Sequence, residues 1–227
     1  MKIIRFSQKG LVGCWRFDEE TGSTAKDSSP YGNDGTIYGA TRVRGIIGKA
    51  LSFDGVDDYV EVPDSASLDI TDEITIGAWV KINSMPPTAT TVIRKGYQEG
   101  GSPGSVPYMF YIDNYFNFYG SNGSQWIFNV KFTPPVGEWF HVVGTFDGST
   151  AIIYKNGVEQ NRKTGITEKM FTNDLNLYIG TMWTDYFNGI IDEVRIYNRA
   201  LSPREIKIIY AFTKYIKPHP IIMRRKL

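Results

Sequence analysis

The residues best equipped for chemistry are acids. Asp192 and Glu193 interrupt an alternating, β-branched run, Gly189-Ile-Ile-Asp-Glu-Val-Arg-Ile-Tyr-Asn-Arg-Ala-Leu201. Asp18 ends the first strand-like segment, Leu11 to Phe17, and a second acidic group is the Asp54-Gly-Val-Asp57-Asp58 turn with Asp185. Calcium is a hard cation that takes about six to eight oxygens, supplied by carboxylates, backbone carbonyls and water. If the first strand pairs antiparallel with the last, Asp18 and Asp192 face one small region beside a glycine-rich loop able to offer carbonyls. The alternative for Asp192 is capping a turn or pairing with Arg195 or Arg16.

Catalytic arrangements are poorly supplied. Gly100-Gly-Ser102-Pro-Gly104 satisfies a Gly-x-Ser-x-Gly pattern. A nucleophile elbow, however, needs a strand before it and a helix after it, and proline with glycines on both sides reads as a loop. Only His141 and His219 could serve as a base, and His141 alternates with Trp139 and Val143 as a packed strand histidine does. Glycoside hydrolysis needs two carboxyl groups about 5–5.5 Å or about 6.5–9.5 Å apart across the scissile bond. Asp69-Ile-Thr-Asp72-Glu73 comes nearest, but it precedes a strand instead of lying within one.

Aromatic rings offer a different chemistry. Their apolar faces stack on sugar C–H groups while polar neighbours bond the hydroxyls. Trp126, Trp183 and Tyr186 are the candidate ligand-binding residues, with Tyr97, Tyr115, Tyr119 and Phe187 also in or beside predicted loops and strand ends. Packing is the competing role, and Trp15, Trp79 and Trp139 are assigned to the core.

The elements that position these residues read as all-β. The 227 residues contain 23 glycines and 11 prolines with 14% aromatics, a composition of short strands and tight turns. Strands are predicted at Ala50–Phe53, Tyr59–Val62, Ile74–Val80, Tyr108–Ile112, Phe116–Tyr119, Trp126–Val130, Trp139–Phe146, Ala151–Lys155, Leu177–Gly180 and Ile190–Tyr197. Asp147-Gly148 and Asn156-Gly157 predict two hairpins. Ser202-Pro203-Arg204-Glu205 opens a helix expected to run to about Thr213, with Ile206, Ile209 and Tyr210 docked on the sandwich. The organisation expected is a lead-in at 1–10, one domain at 11–213 and a basic tail at 214–227.

A net charge of +1 gives no field that would gather nucleic acid or an anionic membrane. No apolar stretch approaches the roughly 20 residues of a bilayer-spanning helix, so no membrane insertion is expected. Met1 to Ser7 lacks the apolar core of an export signal. The lone Cys14 excludes an internal disulfide framework.

The blocks Leu11–Asp18, Asn33–Thr36, Ala50–Val62, Ile74–Val80, Trp139–Gly148, Tyr154–Gly157 and Gly189–Leu201, in this order and spacing, closely resemble the laminin-G-like domains of the concanavalin A-like lectin/glucanase superfamily. The resemblance runs from about Leu11 to about Ile209. It implies a jelly-roll sandwich of two antiparallel sheets with the first and last strands side by side, an extracellular or surface location, and roles in carbohydrate binding, cell adhesion or protein recognition. In related glucanases the acid matching Asp192 ligates a structural calcium, and in pentraxins and laminin-G modules rim calcium is held at positions matching Asp58 and Asp185. Trp183 and Thr184 replace further acids seen in pentraxins. Glucanases of this fold carry Glu-x-Asp-x-x-Glu or a close variant on one strand, and that run is absent here. The function expected is therefore a non-catalytic module, calcium-stabilised in the manner of its relatives, that recognises a glycan or a surface protein. A structural interaction domain of a cell or virion surface is the alternative, and a glycoside hydrolase a lesser one.

Overall fold

A computed structural model describes residues 8–96 and 103–215. The parts of the sequence reading that concern the first seven residues, Tyr97, Ser102, His219 and the end of the basic tail lie outside the described residues. The chain forms β1 (Leu11–Trp15), β2 (Thr24–Ala25), β3 (Gly35–Tyr38), β4 (Thr41–Arg44), β5 (Lys49–Asp54), β6 (Tyr59–Val62), β7 (Ile74–Ile82), β8 (Thr90–Lys95) and β9 (Tyr108–Ile112). It continues with β10 (Phe116–Ser121), β11 (Trp126–Phe132), β12 (Trp139–Phe146), β13 (Ala151–Lys155), β14 (Val158–Lys163), β15 (Leu177–Ile179), β16 (Thr181–Met182), β17 (Asp185–Tyr186), β18 (Asn188–Tyr197) and α1 (Pro203–Tyr215).

Two antiparallel sheets face each other. The first runs β14-β13-β12-β7-β18-β5-β4 with β1 also paired to β18, and the second runs β11-β10-β9-β8-β15-β6-β3-β2. Period-two alternation fills the space between them: Phe140, Val142 and Phe146 of β12 meet Phe110, Phe118 and Phe128 of the second sheet in one core. Gly144 on β12 makes room for this packing, since a Cβ there would lie 2.6 Å from the Phe118 ring. The first strand does pair with the last, in the register Cys14↔Arg195 and Trp15↔Val194. The register of β18 against β7 shifts between Asp192 and Arg195, and Glu193 there takes a φ of 54°. Such a bulge re-aims side chains at the point where the acids lie.

The outer face of the first sheet is covered by α1. Ser202 and Glu205 exchange reciprocal bonds, the Ser202 N–H donating to Glu205 Oε2 at 2.9 Å and the Glu205 N–H to Ser202 Oγ at 3.3 Å, which is the capping box read from the sequence. The helix lays Ile206 and Ile209 on Leu11, Cys14, Val143, Tyr154 and Tyr197 as a second apolar cluster. Trp79 lies here, buried beneath the helix, not between the sheets. Its ring stacks on Tyr210 at 5.6 Å and its Nε1 donates to Thr213 Oγ1 at 2.8 Å. Trp139 is only half-buried, because its register places it on that same outer face at the strand's beginning.

Candidate functional site

The second sheet presents a different outer face. The residues whose neighbours point into the core project outward: Tyr38 on β3, Tyr59 and Glu61 on β6, Tyr178 on β15, Met109 and Tyr111 on β9, Tyr119 on β10 and Trp126 on β11. They make a nearly continuous aromatic band. Tyr38 stacks on Tyr59 at 4.5 Å, Tyr59 lies 6.4 Å from both Tyr178 and Tyr186, Tyr119 lies 5.7 Å from Tyr111, and Trp126 lies 4.9 Å from Tyr119. Between the two halves, the Arg94 guanidinium sits 5.4 Å above the Tyr178 ring, a cation–π contact.

The short hairpin β16–β17 rises from this face and divides it into two clefts. On one side Tyr59, Glu61, Tyr178, Thr181, Trp183 and Tyr186 line a hollow of about 170 Å³. On the other, Thr88, Ala89, Met109, Tyr111, Tyr119, Trp126, Met182 and Asp185 line one of about 360 Å³. Trp183 occupies the hairpin turn at a φ of 60° and is 38% exposed. The hairpin is anchored by Thr90 Oγ1, which donates to the Asp185 carbonyl at 2.9 Å, and by the Thr88 hydroxyl, which donates to Asp185 Oδ1. In the first cleft, Glu61 Oε1 accepts from Asn176 Nδ2 at 2.8 Å and from the Tyr178 hydroxyl at 3.0 Å. Burial and the adjoining Glu61 push the Tyr178 phenol up to about 12, so it stays protonated and able to donate.

Asp18 and Asp192 meet a single turn. Asp18 Oδ1 accepts the Lys49 N–H at 2.9 Å, while Asp192 Oδ2 accepts the N–H of Ile46 at 2.8 Å and of Ile47 at 3.4 Å. The turn fits because Gly45 and Gly48 lack side chains: a Cβ would come 2.5 Å from Asp192 Oδ2 and 2.0 Å from Asp18 Oδ1. Asp192 is fully buried, and its Oδ1 has no hydrogen-bond partner among the described residues. Burial, then the neighbouring Glu193, pushes its carboxyl up to about 8. Arg195, a partner considered for Asp192 from sequence, pairs instead with Glu193.

Asp58 stands with other acids. The carboxylate oxygens of Asp54, Asp57 and Asp58 lie within 4.8 Å of one another, and Asp58 Oδ2 accepts the Asp54 N–H at 2.9 Å. Asp185 instead faces the Trp126 cleft. Trp126 and the pair Trp183 and Tyr186 accordingly lie on opposite sides of one hairpin.

The remaining sequence candidates have partners elsewhere in the fold. Asp69 pairs with the buried Lys95 at 3.3 Å and Asp72 with Lys169 at 2.5 Å, both before β7. His141 is buried against Trp79 and Tyr210, and desolvation with the nearby Arg195 pushes it down to about 3. Phe187 packs on Phe53, and Tyr115 carries the Lys131 ammonium 4.1 Å over its ring. The sequence reading passed over Tyr59, Tyr111 and Tyr178. They sit mid-strand, and the signal that marks them is an aromatic at each outward position of a period-two strand, as in Tyr59-Val-Glu-Val62.

With this geometry in view, the family profile described as concanavalin A-like lectin/glucanases superfamily matches residues 54–207. The chain belongs to that superfamily. Among solved structures, this superfamily member is similar to domain 4 of AbnA, a GH43 extracellular arabinanase from Geobacillus stearothermophilus, in complex with arabinotriose. That likeness is 24% identical over 88% of this chain and 98% of the other, at a TM-score of 0.69. It is also similar to the binding domain of Paraclostridial Mosquitocidal Protein 1, at 14% identity, 89% and 52% coverage and a TM-score of 0.71. The botulinum neurotoxin serotype D ligand binding domain in complex with N-acetylneuraminic acid matches at 15% identity, 90% and 51% coverage and a TM-score of 0.71. The chain thus spans about half the length of these two toxin domains. No curated protein matches the sequence. At these identities the likeness establishes the fold, a concanavalin A-like β-sandwich.

Proposed function

We propose that this domain is a non-catalytic carbohydrate-binding and adhesion module working outside the cell or at its surface, and that the outer face of the second sheet is its sugar platform. The observation that carries this reading is the aromatic band itself. The rings are half-buried to exposed on a face that no described helix covers, so they lose their remaining solvation only when something stacks on them, and here they are interleaved with Glu61, Thr181 and the Tyr178 hydroxyl, groups suited to bonding sugar hydroxyls. Trp183 and Tyr186 are assigned to one cleft and Trp126 to the other. The arabinotriose complex of AbnA domain 4 supports a glycan as the ligand class.

Calcium is proposed as a structural ion at Asp192, with Asp18 beside it. The donor chemistry fits: a buried carboxylate oxygen lacks a partner, and a cation would relieve the desolvation that holds Asp192 toward its neutral form. When bound, the ion would fix the Gly45–Lys49 turn between the first and last strands. The Asp54, Asp57 and Asp58 turn is the second proposed position. Asp185 is placed apart from it in the cleft.

A glycan array run with calcium and again with chelator tests the proposal. Retention of a defined glycan by the native chain, abolished in Trp183→Ala and Tyr186→Ala, supports it. A null array combined with robust self-association would instead favour a structural interaction domain.

A further inference from the structure

The two clefts differ in shape and charge. In the Trp126 cleft the rings do not form a flat shelf: Tyr111 and Tyr119 meet at 86° and Tyr119 and Trp126 at 57°. A pyranose stacks on one ring face, whereas rings inclined to one another wall a rounded volume. The sulfur-bearing side chains of Met109 and Met182 complete the lining, and Asp185 adds a carboxylate at its edge. Aromatic walls and polarizable thioethers around an anion are the chemistry that stabilises a poorly hydrated cation.

From this geometry we infer that the Tyr111, Tyr119, Trp126 and Asp185 cleft takes an alkylated ammonium group of the choline type, carried free or as a substituent on the bound glycan. The inference rests on the proposed function only for the glycan-borne case.

The field in the cleft agrees. Besides burial, Asp113 and Asp185 raise the Tyr111 phenol, and Asp113 raises that of Tyr119. Among the described residues, Arg94 and Lys131 of this sheet are turned elsewhere, Arg94 over Tyr178 and Lys131 over Tyr115. The hydrogen bond from Thr88 holds the Asp185 carboxylate in place beside the rings. A volume of about 360 Å³ is suited to a small headgroup.

The test is a titration of the whole chain with tetramethylammonium, choline and 3,3-dimethylbutan-1-ol, the uncharged isostere of choline, followed by the indole N–H resonance of Trp126. Choline and tetramethylammonium are expected to saturate and to compete with each other, with the alcohol at least tenfold weaker. Asp185→Asn, which preserves shape and the Thr88 bond, and Tyr119→Ala are each expected to weaken choline at least tenfold. Tyr119→Phe keeps the ring and is expected to retain binding, which separates loss of the wall from loss of folding. Equal affinity for choline and its isostere, or an unchanged Asp185→Asn, overturns the inference. Because neither Trp183 nor Tyr186 lines this cleft, choline binding that survives a null glycan array upholds the cleft while the glycan reading fails. Glycan retention without choline binding does the reverse.

Discussion

The two sheets carry outer faces of comparable aromatic content that have met opposite fates. On the first, Trp79, His141 and Tyr210 lie within stacking distance of one another beneath α1, and the tryptophan N–H is answered by Thr213. On the second, the rings from Tyr38 to Trp126 lie on a face that the helix does not reach, with Trp183 raised beside them on a hairpin. An aromatic side chain therefore reports packing or recognition only through what covers it. The covered face should govern stability and the open face binding.

The sharpest separation comes from Trp79→Ala. Removing a large buried ring costs about 3–5 kcal/mol, so thermal melting should show a large loss while any folded protein still retains its glycan. Equal loss of affinity and stability would erase the distinction. Next, chelation should lower the melting temperature of calcium-loaded protein. An ion held at a hundredfold over its dissociation constant contributes about 3 kcal/mol, and Asp192→Asn should remove the response.

Acid provides a third probe of the covered face. His141 is held near 3 against an ordinary value of 6.5, so between these values the unfolded chain binds a proton that the folded chain does not. Stability is then lost as pH falls below 6.5, by about 2 kcal/mol at pH 5 from this residue, and His141→Phe should flatten that slope in denaturant titrations. Glu205, held near 2 by Arg199 against an ordinary 4.5, contributes stability above 4.5 that is lost as pH falls toward 2. Its window therefore overlaps the acid end of the histidine window, between about 3 and 4.5, and extends below it.

On the open face, Trp183→Ala should weaken glycan binding about tenfold, or about 1.4 kcal/mol, with a smaller loss in melting than Trp79→Ala because the ring is 38% exposed whereas Trp79 is buried. The smallest effect expected is that of Ser202→Ala, about 1 kcal/mol from loss of the helix cap, with binding unaltered.

Much of this architecture was readable in the residues. The pairing of β1 with β18 followed from the family pattern, the hairpins from Asp147-Gly148 and Asn156-Gly157, and the helix from Ser202 to Glu205. Strands β2, β3, β4, β8, β14, β16 and β17 were not among the predicted strands, and for β8 and β14 the reason is identifiable. Thr90–Lys95 carries two threonines, an arginine and a lysine, which hide a strand whose every residue is buried by neighbouring loops and tertiary partners. Val158–Lys163 is polar and exposed throughout, an edge strand held by β13. The site was legible in part. Loop aromatics could be picked out as candidates, but the band depends on which strands are neighbours, and β8 and β15 become neighbours only through pairings about 80 residues apart in sequence. The same holds for Asp185, whose cleft is assembled from five separate segments. Trp79 shows the converse: its strand was correctly read, but only the docking of α1 reveals which face buries it.

The most direct test of the central claim is to map chemical-shift changes on the folded domain as a retained neutral oligosaccharide is added. The account predicts perturbations at Tyr59, Tyr178, Trp183 and Tyr186, which line one cleft, with Trp79 and Tyr210 silent. Shifts centred on Trp79 and the helix, or an unperturbed hairpin at saturating ligand, would contradict it.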